Sequence, residues 1–237
     1  LEDGSSEIIK EKLYSRNEGI INGEVIPDAK YKTGGGTEFA WAPTKATKEE
    51  TKDFRTATWF AEKLKQNFDK PFFMAVGFHR PHLPFVAPKK YWDLYDRSKI
   101  KISGVQRLPV GAPDYAAQNS GELYNAYMQS NFERYDANSL PQSEAIQREL
   151  IHGYYAAVSY ADAQVGVLLH TLDSLGLTKN TIIVLFGDHG WHLGEKGITG
   201  KNTLWERSTR VPLIFAGPGI SAGARCSQAA ELLDLYP

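Results

Sequence analysis

Apolar positions along the chain gather into a few periodic segments separated by long polar or turn-rich stretches. Residues 1–46 are polar and rich in turn formers, with "GGG" at 34–36, and read as an irregular surface segment. In "TKEETKDFRTATWFAEKLKQNF", which follows, Phe54, Ala57, Ala61, Leu64 and Phe68 recur at helical spacing, and Thr47 with Glu50 matches a capping box. This predicts a surface helix with one buried face. "KPFFMAVGF" at 70–78 is nearly continuous in apolar residues, the pattern of a strand covered on both faces. Pro81 and Pro84 in "HRPHLPF" stop regular structure there.

Residues 86–141 hold many prolines, glycines and tyrosines without clean periodicity and read as a long excursion with short helices. Residues 143–177 are strongly helical, with a stripe of Ile146, Leu150, Tyr154, Ala157, Ala161, Val165, Leu168 and Leu172. Gly153 and Gly166 suggest close packing or a bend, and Gly176 suits the residue just past a helix end. "NTIIVLFGD" and "RVPLIFAGPG" then read as strands on either side of a glycine-rich loop. Helices alternating with buried strands predict an α/β domain with a largely parallel sheet flanked by helices, its core spanning 47–237.

Composition narrows the function classes. Of 237 residues, 42% are hydrophobic and 23% charged, with a net charge of -1, so nothing directs the chain to nucleic acid or an anionic membrane. No apolar run approaches the length of a membrane span. The single cysteine, Cys226, excludes an internal disulfide framework and any multi-cysteine zinc site. The chain begins at Leu1 without a signal-peptide pattern and stops in the helix-compatible "AAELLDLYP", as expected of an internal piece of a longer protein.

The candidate chemistry lies at strand ends. "FFMAVGFH" closes on His79, and "TIIVLFGDH" closes on Asp188 and His189. Ligands of open α/β sheets bind outside the carboxyl ends of strands, so His79, His82, Asp188 and His189 would share one rim if the strands lie side by side. Asp188 suits a hard cation such as Ca²⁺, Mg²⁺ or Mn²⁺, whereas His189 suits a transition metal better. The residues alone are equally compatible with Asp188 capping a turn and His189 packing against it. His189, His192 and Glu195 do not form the H-E-x-x-H zinc pattern. Lys201 could hold an anionic substrate oxygen or protonate a leaving group, although pattern alone favours a solvated surface lysine.

"FGDHGWHLGEKGITGK" followed by "TLWERSTRVPLIFAGPG" and "LLDLYP" resembles the type I sulfatases. "KPFFMAVGFHRPHLPFVAPKKYWDLY" is most similar to the iduronate-2-sulfatase-like branch, and the resemblance is strongest over about 40–95 and 145–237. It implies an alkaline-phosphatase-like fold and hydrolysis of sulfate monoesters, of a sulfated sugar at family level. It also implies a Ca²⁺ ion beside a formylglycine made from Cys or Ser, whose aldehyde hydrate attacks sulfur. By that resemblance Asp188 and His189 are metal ligands, Lys201 and His79 are catalytic, and His82, Trp191 and His192 line the substrate pocket. An extracytoplasmic location, whether periplasmic, secreted or lysosomal, is expected on the same ground.

The chain departs from the family pattern in two places. Cys226 is followed by "SQAAE" and no serine fits the family's C/S-x-P-x-R modification motif. No Asp-Asp pair is present to complete the calcium shell. The nucleophile and remaining ligands are therefore expected upstream, and this polypeptide alone is expected to be inactive. A phosphatase or phosphodiesterase of the same superfamily, or a non-catalytic sulfatase-like binding module, remain the alternatives.

Overall fold

The computed structural model describes residues 41–44, 51–83, 85–117 and 144–235. Its scaffold is one long late helix against which most elements of the first half of the chain are packed. The first strand, β1 (Trp41–Thr44), pairs in parallel with β2 (Phe85–Pro88), in register Trp41 to Phe85. Between them in sequence lies α1 (Lys52–Leu64). The proposed capping pair Thr47–Glu50 lies outside the described residues. The helix takes Thr51 as its N-cap instead, without a side-chain capping bond, and carries Asp53 in its first turn.

A short helix, α2 (Lys89–Trp92), continues directly from β2. The predicted late helix is α3 (Glu144–Ser174), continuous over 31 residues. Of its predicted stripe, Leu150, Ala157 and Leu172 are buried and Tyr154, Ala161, Val165 and Leu168 half-buried, while Ile151, Ala156 and Tyr160 beside it are buried as well. Ala57 on α1 and Ala156 and Ala157 on α3 are fully buried, and small residues on both helices let their backbones approach. Gly166 marks no close packing, since a Cβ there would meet nothing within 4 Å. Gly176 takes φ 69°, the left-handed conformation that glycine adopts cheaply after a helix.

Leu83, Phe85, Ala87, Trp92, Leu150, Ala156, Tyr160 and Trp191 form the apolar core between β2, α2 and α3. Phe85 is its hub, edge-on to Tyr154 at 5.4 Å and to Trp191 at 5.8 Å between ring centroids. Thus one end of the excursion predicted at 86–141 is a strand built into the core. Residues 118–141 of that excursion lie outside the described residues.

Two strand expectations change. The 71–78 segment alternates between more and less exposed residues, as a strand does, but it joins no ladder among the described residues. It is therefore not covered on both faces, and Phe73 is 81% exposed. The late strands β3 (Ile183–Phe186) and β6 (Leu213–Ala216) form where predicted but pair antiparallel, Ile183 opposite Ala216. The connection explains the direction. A parallel return needs a helical crossover. The chain between β3 and β6 holds β4 (His192–Leu193), a 3-10 turn (Glu195–Gly197), β5 (Thr199–Gly200) and the four-residue α4 (Glu206–Thr209), none long enough for such a crossover. Hence the parallel pairing of this α/β fold is seen in β1–β2, while its late strands run antiparallel.

Candidate active site

Two turns build the site, one from each half of the chain. The first is "HRPH" at 79–82, which follows the 71–78 segment. Its backbone is held by Asp53 of α1. The Asp53 carboxylate accepts from the His79 amide at 2.7 Å through Oδ1 and from the Arg80 amide at 3.2 Å through Oδ2. Arg80 also brings its guanidinium to 3.9 Å from Oδ2, and both side chains are 2% exposed. The Arg80 Nε donates to the Val86 carbonyl at 3.0 Å, tying the turn to β2. Burying two charges is costly unless they are paired and hydrogen-bonded, and here each answers the other. Beside them the Thr51 hydroxyl and Tyr160 phenol share a hydrogen bond, and burial raises the Tyr160 pKa.

This fixed backbone sets the two imidazoles 4.8 Å apart, centroid to centroid, tilted by 36°. His79 Nε2 donates to the Leu83 carbonyl at 3.3 Å and His82 Nδ1 donates to the same oxygen at 2.6 Å. A carbonyl only accepts, so both protons are placed: His79 is the Nε2–H tautomer and His82 the Nδ1–H tautomer. Burial, then the neighbouring Arg80 and His82, push the His79 pKa down to about 4. His79 is therefore neutral near pH 7.

The second turn is the glycine-rich loop after β3. Gly190 packs against α4 so closely that a Cβ would stand 2.0 Å from the Arg207 carbonyl oxygen, and its amide donates to the Ser208 carbonyl at 2.7 Å. That contact fixes where Asp188 and His189 leave the strand. Beyond it, β4 and β5 pair antiparallel, His192 opposite Gly200, around a tight turn in which Gly194 has φ 105°. Glu195 closes the turn by accepting from the Leu193 amide at 2.7 Å. Lys201 follows β5 directly and so inherits its position from this small hairpin.

The two turns meet at Lys201. Its Nζ donates to His82 Nε2 at 3.2 Å, joining residues 119 apart in sequence. The assigned His82 tautomer leaves an Nε2 lone pair to accept that bond. The ammonium also lies 5.8 Å from the centroid of the Trp191 ring, within cation–π range. His79, His82, Trp191 and Lys201 are thus one cluster.

Trp191 is 8% exposed and belongs to the apolar core, so it forms the floor under Lys201 rather than an open pocket wall. His192 corrects an expectation. Its side chain is fully buried, and Nε2 bonds the Thr203 hydroxyl at 3.2 Å, which in turn bonds Ser208 Oγ at 2.9 Å. A buried ring cannot line a substrate surface. It ties the two ends of the Lys201 loop together, and burial lowers its pKa.

Asp188 and His189 form a separate pair at the end of β3. Asp188 Oδ1 accepts from the His189 amide at 3.0 Å, and Oδ2 stands 3.6 Å from His189 Nε2. His189 Nδ1 donates to the Gly190 carbonyl at 2.9 Å, which leaves the Nε2 lone pair as the atom that could ligate a metal. Two cis ligands with bonds of about 2.4 Å lie about 3.4 Å apart, so the pair fits one divalent cation. It supplies two donors only: among the described residues no group of three or more His, Cys, Asp or Glu gathers as a metal shell. The Asp188 charge reaches Tyr154, whose pKa is raised first by burial and second by that carboxylate. Tyr154 packs edge-on to Phe85, and Phe85 edge-on to Trp191, so the Asp188–His189 pair and the Lys201 cluster rest on the same core.

The residue of this cluster that the sequence did not single out is Asp53, which holds the His79 and Arg80 amides. An acid in the first turn of a helix needs no special explanation, and only the fold brings the 79–80 amides to it.

Comparison with known proteins gives the family. The family model described as Sulfatase matches residues 11–237. A sulfatase of Formosa agariphila is 34% identical over 208 residues, covering 86% of this chain and 38% of its own length. Human iduronate 2-sulfatase is 40% identical over 182 residues, covering 74% of this chain and 31% of its own length. The chain therefore spans about a third of the length of these relatives. Among solved structures, a phosphonate monoester hydrolase from Silicibacter pomeroyi superposes with a TM-score of 0.65 at 22% identity, over 92% of this chain and 43% of its own, which shows a shared fold. With one family model spanning nearly its whole length, the chain belongs to the sulfatase family.

Proposed function

We propose that residues 1–237 are part of one sulfatase catalytic domain and contribute half of its active site. The protein that carries them hydrolyses sulfate monoesters, and its substrate is a sulfated saccharide. The observation that carries this reading is the contact of Lys201 with His82, which places a cation over an aromatic floor beside two imidazoles. A sulfate monoester is an anion whose bridging oxygen gains charge as the S–O bond breaks. Lys201 holds that anion by charge and hydrogen bonding, where a fixed donor is worth more than it is in water. His79, neutral at working pH, adds a hydrogen-bonding group without a second positive charge. Together they polarise the sulfate oxygens and assist departure of the alcohol.

Asp188 and His189 would hold a divalent metal ion, which we assign as Ca²⁺ by the family resemblance. When bound, such an ion neutralises sulfate charge and orients the nucleophile. The nucleophile, a formylglycine, and the remaining ligands lie outside this chain. The human relative named iduronate 2-sulfatase supports a sugar substrate. Among the described residues no helix is long and apolar enough to cross a membrane. An extracytoplasmic location is part of the same proposal.

The test is sulfate release by the full-length protein from para-nitrophenyl sulfate and from sulfated glycosaminoglycan disaccharides, against para-nitrophenyl phosphate. Preferential sulfate release, lost on Lys201→Met, is expected. Preference for phosphate would transfer the site to the phosphatase alternative, and turnover of neither ester class would favour the non-catalytic one.

A further inference from the structure

The buried Asp53 carboxylate touches no surface a substrate could reach, yet both of its oxygens are committed to the turn that carries His79. We infer that Asp53 is a positioning residue of the active site: it clamps the His79 and Arg80 amides from α1 and thereby fixes where the His79 ring stands.

The inference rests on the reading of His79 as an active-site residue and deepens it. Three contacts define the clamp. Oδ1 accepts from the His79 amide at 2.7 Å, Oδ2 accepts from the Arg80 amide at 3.2 Å, and the Arg80 guanidinium stands 3.9 Å from Oδ2. Each carboxylate oxygen takes one of two consecutive amides, and a carboxamide in its place would turn one of those acceptors into a donor. The 71–78 segment joins no ladder among the described residues, so its end is not held by sheet hydrogen bonds there. The grip on the turn comes from Asp53 at one side and from Arg80 Nε on the Val86 carbonyl at the other. Since Asp53 sits in the first turn of α1, which packs on α3, the His79 turn is referenced to the helical scaffold. His82, the Lys201 partner, lies on the same turn, its amide bonded to the His79 carbonyl at 2.9 Å.

A displacement of about 1 Å at a catalytic group costs on the order of a hundredfold in rate. Asp53→Asn keeps one acceptor oxygen, presents an amide donor to the second backbone amide, and strands the Arg80 charge. The experiment is a double-mutant cycle on the full-length protein, comparing wild type, D53N, H79A and D53N/H79A. It reads kcat and KM for sulfate release from para-nitrophenyl sulfate or a sulfated disaccharide. Amide exchange over residues 78–82 is read alongside and does not depend on turnover. The expected result is a loss of about a hundredfold in kcat for D53N, with KM little changed. In the H79A background D53N should cost less than about twofold. Amide exchange should quicken at 79–80 while α3 stays protected.

Equal losses in both backgrounds would reduce Asp53 to a general stability role and overturn the inference. So would a D53N protein with wild-type kcat and unchanged exchange at 79–80 while H79A is impaired. If H79A itself keeps wild-type turnover, the assignment of His79 to the site fails, and that outcome is separate from the others. Should D53N fail to accumulate, D53N/R80M removes the stranded guanidinium while still breaking the clamp, and is read in the same cycle.

Discussion

Gly190 and Gly166 should respond to the same substitution with opposite signs. At Gly190 a methyl group would stand 2.0 Å from the Arg207 carbonyl oxygen, 3.0 Å from its carbon and 3.4 Å from Ser208 Cα. All three are backbone atoms of α4, so no side chain can swing aside. Relief requires α4 or the 188–190 segment to retreat by about 1 Å, which overpacking data put at about 1–3 kcal/mol. The bond from the Gly190 amide to the Ser208 carbonyl, now 2.7 Å, is also lost, adding about 1 kcal/mol. Gly190→Ala should therefore destabilise by about 2–4 kcal/mol. At Gly166, inside α3, an added Cβ meets nothing within 4 Å. There alanine removes backbone freedom from the unfolded chain and should stabilise by about 0.5–1 kcal/mol. Thermal unfolding of the full-length protein compares both variants with wild type. Gly190 also sets the exit of Asp188 and His189, so calorimetric titration with Ca²⁺ should show weaker binding in G190A and none of this in G166A. A G190A protein as stable as wild type would refute the packing at α4. A G166A protein that melts as early as G190A would refute the account of the helix.

Three further outcomes follow from the geometry. The His79 pKa falls from 6.5 in the unfolded chain to about 4 in the fold, so between those values the unfolded state binds more protons. Stability from this group is complete above about pH 6.5 and is lost progressively toward pH 4, by up to about 3 kcal/mol. A melting series from pH 7 to 4 should show H79Q losing less stability on acidification than wild type. His192→Ala removes a buried ring and its Thr203 bond, and should cost about 2–4 kcal/mol while lowering kcat through a loosened Lys201 loop, as read by melting and steady-state kinetics. Lys201→Met keeps the aliphatic stem over Trp191 but not the charge, and should lower kcat/KM by on the order of a hundred- to a thousandfold with little change in melting temperature.

Much of the scaffold was legible in the residue pattern because its signals are local. The stripe of α3, the glycine closing it, and the apolar cores of β3 and β6 all report on neighbours a few residues away. What the pattern missed is non-local. An apolar run such as "KPFFMAVGF" reports extended backbone but not which strand, if any, lies beside it. Likewise the direction of β6 depends on how the 187–212 connection turns. Pattern alone left Lys201 as ordinary surface and only the family resemblance singled it out; its contact with His82 is visible only in the fold, and Asp53 looked like an ordinary helix-start acid. His192 erred the other way: its place in a chemistry-rich loop suggested a pocket, and its burial gives it the structural task of closing that loop.

The central claim is that this chain supplies the cationic and metal-binding half of a sulfatase site. The most direct measurement is sulfate release by the full-length protein with and without chelator, in wild type and in Asp188→Asn. The account predicts turnover of sulfate esters that chelation abolishes, that Ca²⁺ restores in wild type, and that Ca²⁺ fails to restore at the same concentration in D188N. Undiminished, chelator-resistant turnover in D188N would contradict it.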